Sequence, residues 1–287
     1  MKGDIFMKSL NIRVVMFFLL GIFVFLNMVS LPNYQAFNLP HRDYLPIFYT
    51  LYSFGIIFSM VALVLIFFID FEQLKLKYWL VSCFVGIISM FTIRPISIYS
   101  VQQITLGVSM FFVCLSIPTL SKPLEEEEKI RIFTPSKSYG IPQDIVVGFL
   151  IFMVLSAIGT NPGIAGSIAL IRGEVAFSTL LHSFIGATSV GIWEEVFFRM
   201  FLVYLIMKLN NYKYVPFVVM LLITSLLFTL VHFVDLIIVS GLDSVSLSDI
   251  FAVMVMSSTL FILALKRSLF AAVWLHFLFN FLRFILV

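Results

Sequence analysis

The feature that most constrains this chain is a succession of apolar runs, each near the roughly 20 residues that a helix needs to cross a bilayer. They lie at about 13–31, 46–69, 79–93, 97–118, 144–160, 175–208, 215–239, 250–265 and 269–286. Inside a bilayer the backbone finds no water to bond, so each run must close its own hydrogen bonds as a helix. The expected fold is therefore all-α: a polytopic transmembrane helical bundle of eight or nine spans, the third and eighth runs being short. Composition agrees, since 61% of the residues are hydrophobic and only 11% charged, whereas a soluble globule carries about 25% charge. The amino terminus has the basic flank and apolar core of a signal peptide, but no small-residue cleavage site follows, and it reads as the first span.

The connecting segments give an orientation, because cytoplasmic loops carry the Lys and Arg excess. With the amino terminus in the cytoplasm, Lys2, Lys8, Arg13, Lys75, Lys77, Lys208, Lys213, Lys266 and Arg267 fall inside, together with the basic residues of the 119–143 loop. Only Arg42, Arg94 and Arg172 fall outside. The basic residues thus set topology, and their dispersal and the small net charge of +3 do not suggest nucleic-acid binding. Cys83 and Cys114 lie in apolar runs without CxxC spacing, so neither a disulfide framework nor a thiolate metal site is expected. The expected organisation is an amino-terminal group of four spans over 1–118, a cytoplasmic loop over 119–143 whose Glu125–Glu128 run is a solvated linker, and a carboxyl-terminal membrane domain over 144–287. Asn161-Pro162-Gly163 reads as a turn at the outer face.

Ionisable groups inside membrane segments are costly and mark function or pairing. In this chain they fall in the carboxyl-terminal half, beginning with Trp193-Glu194-Glu195-Val196-Phe197-Phe198-Arg199. Glu195 and Arg199 are four apart with the acid first, the favourable order for a pair on one helical face. Glu194 is rotated about 100° from Glu195 and is expected to point elsewhere. The next run carries Phe228-Thr229-Leu230-Val231-His232 and the last carries His276-Phe277-Leu278-Phe279-Asn280, where His276 and Asn280 share a face. At 1.5 Å per residue, Glu194 is about 21 Å from Lys208, Asn280 about 20 Å and His276 about 14 Å from Arg267, and His232 about 28 Å from Lys213. The four groups fall near a common depth and can line one cavity. Each also has a plainer reading: Glu195 with Arg199 as an ion pair pinning helix orientation, and each histidine as a helix-to-helix hydrogen-bond donor. His182 and Asp235 keep that plainer reading, and Ser257, Ser258 and Thr259 read as close-packing residues.

The three short patterns Glu194-Glu195-xxx-Arg199, Phe228-xxx-His232 and His276-xxx-Asn280, in that order, resemble the type II CAAX prenyl endopeptidases and their prokaryotic relatives, the Abi or CPBP group, which includes bacteriocin-processing and self-immunity proteins. The resemblance covers the last third of the chain and implies a glutamate-dependent intramembrane endopeptidase. It implies that Glu194 with His232 activates a water, that His276 with Asn280 stabilises the tetrahedral oxyanion, and that Glu195 and Arg199 hold the first motif in place. Amide hydrolysis needs those two devices, a base for water and donors for the developing negative oxygen. The implied partners are membrane lipids and a peptide or protein substrate, either prenylated or a peptide precursor, and no cofactor is implied.

Three other readings remain open. Two His and a Glu are also a ligand set for catalytic zinc, although no HExxH core is present. The cavity would equally suit a non-proteolytic immunity or regulatory protein that binds a peptide. Intramembrane Glu and His also build the proton relays of transporters, but the chain lacks the internal repeats and paired broken helices of that class.

Overall fold

The structure is a computed structural model and describes residues 13–15, 17–18, 21–22, 59–71, 74–91, 100–126, 140–158, 170, 172–173, 175–211, 215–240 and 245–285. Most of the first two expected spans, residues 127–139 of the expected 119–143 loop and the Asn161-Pro162-Gly163 turn lie outside them, as does the side chain of Asp235, while 119–126 continue the helix that ends at Glu126. The described residues are all-α, with no strand among them. In order the helices are α1 (Leu76–Ser89), α2 (Ser100–Glu126), α3 (Ile141–Ile158), α4 (Phe177–Glu195), a π-helical turn (Val196–Phe201), α5 (Leu202–Leu209), α6 (Phe217–Ser240), α7 (Leu247–Lys266) and α8 (Leu269–Ile285). Residues 59–66 are also helical. Two stretches, Gln103–Lys122 and Leu247–Lys266, are long and apolar enough to cross a membrane, and four shorter apolar helices accompany them.

The distribution of side chains is the reverse of a soluble protein's. On α6 the exposed face is Val218, Val219, Leu222, Ile223, Leu226, Leu227 and Leu230, whereas the buried face includes Thr224, Ser225 and Thr229. On α3, Val146, Phe149, Leu150, Met153 and Val154 are exposed and Asp144 is buried. Contiguous exposed apolar faces of this extent belong against lipid or protein, and buried hydroxyls that bond back to the preceding turn are at home in apolar surroundings. Thr224 and Thr229 each donate to a carbonyl of their own helix in this way.

The chain divides into two compact units. The first comprises Met1–Met90, Pro95–Lys122 and Val231–Val245. Within it Ala62, Ile66, Ile69, Phe112 and Leu115 form a buried cluster. α1 and α2 meet at glycines, where a Cβ on Gly86 would stand 2.9 Å from the Gly107 carbonyl oxygen. Arg13 donates to the Phe67 and Ile69 carbonyls, which follow the 59–66 helix and lack a next turn to accept from.

The second unit comprises Phe91–Arg94, Pro123–Leu230 and Ser246–Val287. Its centre is α8, which packs against α4, α3 and α7. Phe152, Leu260, Leu263, Ala264, Ala272, Leu275, Leu282 and Ile285 make the shared core. Sequence-local caps set where these helices start. Ser246 accepts from the Asp249 amide and opens α7, and Ser268 accepts from the Ala271 amide to open α8. Asp144, in the first turn of α3, accepts from both Ser268 Oγ and Arg267 Nε, the latter at 3.1 Å, and so ties α3 to the α7–α8 corner. Nearby, Trp274 Nε1 donates to the Ile145 carbonyl, and its ring lies over Gly148, where a Cβ would come within 2.6 Å of Trp274 Cδ1.

Candidate active site

Small residues on α4 decide what the site becomes. Gly186, Ala187 and Gly191 are buried, and Gly191 lies on the face toward α8. A Cβ on Gly191 would lie 3.3 Å from the Val273 carbonyl oxygen and 3.4 Å from the Phe277 amide nitrogen. Backbone-to-backbone approach of this kind is what small residues permit between apolar helices. One turn further along α4 stand Glu194 and Glu195, and between Val273 and Phe277 on α8 stands His276.

The two carboxylates converge on that single imidazole. His276 Nδ1 is 2.9 Å from Glu195 Oε1, and His276 Nε2 is 3.4 Å from Glu194 Oε2. Glu195 turns its other oxygen, Oε2, to Arg199 Nε at 3.2 Å. Arg199 Nη2 then donates to Ser257 Oγ on α7 at 3.1 Å. The result is a continuous polar chain, Ser257–Arg199–Glu195–His276–Glu194, crossing α7, the π turn, α4 and α8. Relative exposures of 3% for Glu194, 1% for His276 and 0% for Glu195 and Arg199 keep it away from the lipid-facing surface.

Aromatic rings close it in. The Arg199 guanidinium lies over the Phe228 ring at 4.9 Å, with Phe198 on its other flank. Phe228 is also 5.9 Å from the His276 ring. A guanidinium over an aromatic face gains a cation–π attraction that strengthens when water is excluded. The π turn, closed by the Leu202 amide bonding to the Phe197 carbonyl, carries Arg199; such single-turn bulges recur at functional sites.

Of the groups singled out in the sequence, Glu195 and Arg199 pair as their spacing implies. Glu194 does not point away from that pair's neighbourhood, because an imidazole on the facing helix is long enough to meet two carboxylates about 100° apart on α4, one at each ring nitrogen. Asn280, one turn beyond His276, is half-buried, and its enclosed Nδ2 has no hydrogen-bond partner among the described residues. His232 follows Phe228 by one turn of α6 and is half-buried; it falls in the first compact unit and Phe228 in the second. His182 is exposed, with Nδ1 2.6 Å from the Ser178 carbonyl of its own helix. Cys83 and Cys114 are free thiols. Among the described residues no group of three or more His, Cys, Asp or Glu is disposed to hold a metal ion.

Sequence reasoning treated Ser257 as a packing residue and passed over Gly191. For Ser257 the signal was weak, a hydroxyl run on an apolar helix. For Gly191 the flanking Gly186 and Ala187 form a small-residue stripe on the helix that carries the acids.

The comparisons agree with the location of this cluster. Residues 175–282 match the family model described as Type II CAAX prenyl endopeptidase Rce1-like. No curated protein and no solved structure matches the chain. The matched segment contains Glu194, Glu195, Arg199, Phe228, His232, His276 and Asn280. Over residues 175–282 the chain is therefore similar to the Type II CAAX prenyl endopeptidase Rce1-like family.

Proposed function

We propose that the chain is a multi-pass intramembrane endopeptidase that uses Glu194 to activate water and hydrolyses a peptide bond of a membrane-associated peptide or protein. The observation that supports this most directly is the pairing of Glu194 with the His276 imidazole at 3.4 Å in a buried site, with Asn280, whose Nδ2 has no partner among the described residues, one helical turn from His276. A carboxylate beside an imidazole can take a proton from water, and an amide donor without a partner can meet an oxyanion.

In the reaction, Glu194 removes a proton from a water whose oxygen adds to the scissile carbonyl carbon; His232 has the assisting role only as the family resemblance implies it. The carbonyl π electrons move to oxygen, and His276 and Asn280 donate hydrogen bonds to that oxyanion. Collapse of the tetrahedral intermediate breaks the C–N bond, and the proton held by Glu194 passes to the departing amine. The chain's own side chains supply every group used, so cleavage is expected to persist in a strong chelator.

The substrate class that the resemblance implies is a prenylated carboxyl-terminal tetrapeptide, or a peptide precursor presented at the membrane. Lipids are the other partner, and no nucleic acid is involved. The amino terminus is assigned to the cytoplasm by the positive-inside rule. The ion pair between Asp144 at the start of α3 and Arg267 at the α7–α8 corner supports placing those two ends on the same side.

The test compares the peptides in membranes carrying the native chain with those carrying Glu194→Gln. Loss of a defined set of cleavage products in the variant, with unchanged protein level, is expected. Identical peptide profiles would remove Glu194 as the base.

A further inference from the structure

We propose that Glu195 is a positioning residue for His276: its carboxylate clamps the imidazole through Nδ1 and thereby delivers Nε2 to the Glu194 side of the site. This goes beyond its role as the ion-pair partner of Arg199, and it rests on the reading of His276 as a reacting-site group.

Valence carries the argument. A guanidinium only donates, and Glu195 Oε2 lies 3.2 Å from Arg199 Nε as an ion-pair contact without hydrogen-bond geometry. The carboxylate's second oxygen, Oε1, then remains as an acceptor for His276 Nδ1 at 2.9 Å. That contact requires the proton on Nδ1 and fixes both the protonation pattern and the plane of the ring, as a carboxylate does for a catalytic imidazole in general. The distal nitrogen, Nε2, is thereby left facing Glu194 Oε2 at 3.4 Å. Glu195 is itself immobilised, since Arg199 is held by Ser257 from α7 and is enclosed by Phe198 and Phe228. An ion pair whose only task was to pin helix orientation would be complete with one oxygen. Here the second oxygen meets the imidazole, on a side chain that is 0% exposed.

The test has two arms on the full-length protein in lipid nanodiscs. In the first, ¹⁵N-histidine labelling reads the protonation of the His276 ring, assigned by subtraction against His276→Gln. A protonated, strongly hydrogen-bonded Nδ1 is expected in the native protein, and Glu195→Gln is expected to shift or broaden that resonance. An unprotonated Nδ1 in the native protein overturns the proposal with no variant needed. In the second arm, steady-state cleavage of an internally quenched farnesylated peptide is compared for Glu195→Gln and Glu195→Asp. Loss of the carboxylate that holds an imidazole's tautomer costs up to about 10⁴-fold in kcat elsewhere. A fall in kcat of at least about 10²-fold with KM little changed, and partial recovery in Glu195→Asp, is expected. Native-like kcat in Glu195→Gln overturns the positioning role while leaving the peptidase reading intact. A native protein that cleaves nothing here and whose membrane peptide profile is unchanged by Glu194→Gln removes the peptidase reading, and the ring spectrum still decides the clamp.

Discussion

The close approach of α4 and α8 at Gly191 makes the site sensitive to a single methyl group. An alanine Cβ there would stand 3.3 Å from the Val273 carbonyl oxygen and 3.4 Å from the Phe277 amide nitrogen. Ordinary heavy-atom contacts sit at about 3.5–4.0 Å, so the two backbones must part by a few tenths of an ångström. Overpacking of this kind costs about 1–3 kcal/mol. Alanine recovers up to about 1 kcal/mol of helix propensity relative to glycine, so Gly191→Ala is expected to lie between neutral and about 2 kcal/mol destabilising. Gly191→Val gains less propensity and adds two more carbons at the same contact, so it takes the full penalty. At roughly 2–4 °C per kcal/mol for a chain of this size, Gly191→Val should lower the melting midpoint of the purified protein by several degrees.

The catalytic consequence is larger than the thermal one. The same parting acts on the 2.9 Å and 3.4 Å contacts between the glutamates and His276, which lie one turn away. Misplacement by about 1 Å is worth about 10²-fold in rate, so Gly191→Val is expected to lose about 10- to 100-fold in kcat/KM and Gly191→Ala a few-fold. Leu181→Val, at an exposed position on the same helix, is the control and should leave both readouts unchanged. A Gly191→Val protein with native melting behaviour and a native cleavage rate would refute the backbone contact from which the site is built.

Arg199→Met removes the guanidinium paired with the fully buried Glu195 carboxylate at 3.2 Å, and breaking a buried pair costs about 3–5 kcal/mol; poor accumulation of folded protein by size-exclusion chromatography is expected. Asp144→Ala strips the partner from Arg267 and Ser268. Because Arg267 keeps 21% of its side chain exposed, water compensates in part, and a loss of about 1–2 kcal/mol in denaturant unfolding is expected. Asn280→Ala, which removes the donor Nδ2, should lower kcat by about 10²- to 10³-fold without moving the melting midpoint.

The positions of the helices were legible because hydrophobicity is a local property. The run at 175–208 appears as α4, the π turn and α5, that at 215–239 as α6, and that at 269–286 as α8. The Glu195–Arg199 pair was legible for the same reason, since four residues along a helix return to one face. The π turn was not, because the segment from Val196 to Phe201 contains neither glycine nor proline to announce it.

The sequence by itself determined that the chain is helical and apolar, and that Glu194, Glu195, Arg199, His232, His276 and Asn280 all lie after residue 193. Only the tertiary structure decided which groups meet. Arg199 finds Ser257 across 58 residues, His276 finds Glu195 across 81, and Arg267 finds Asp144 across 123. Those separations carry no periodicity, and the contacts arise from small residues, Gly191 above all, that allow two backbones to touch. The same imidazole could have served one acid or both. Helix-to-helix distance, which no pattern within one helix encodes, is the physical quantity that placed it between them.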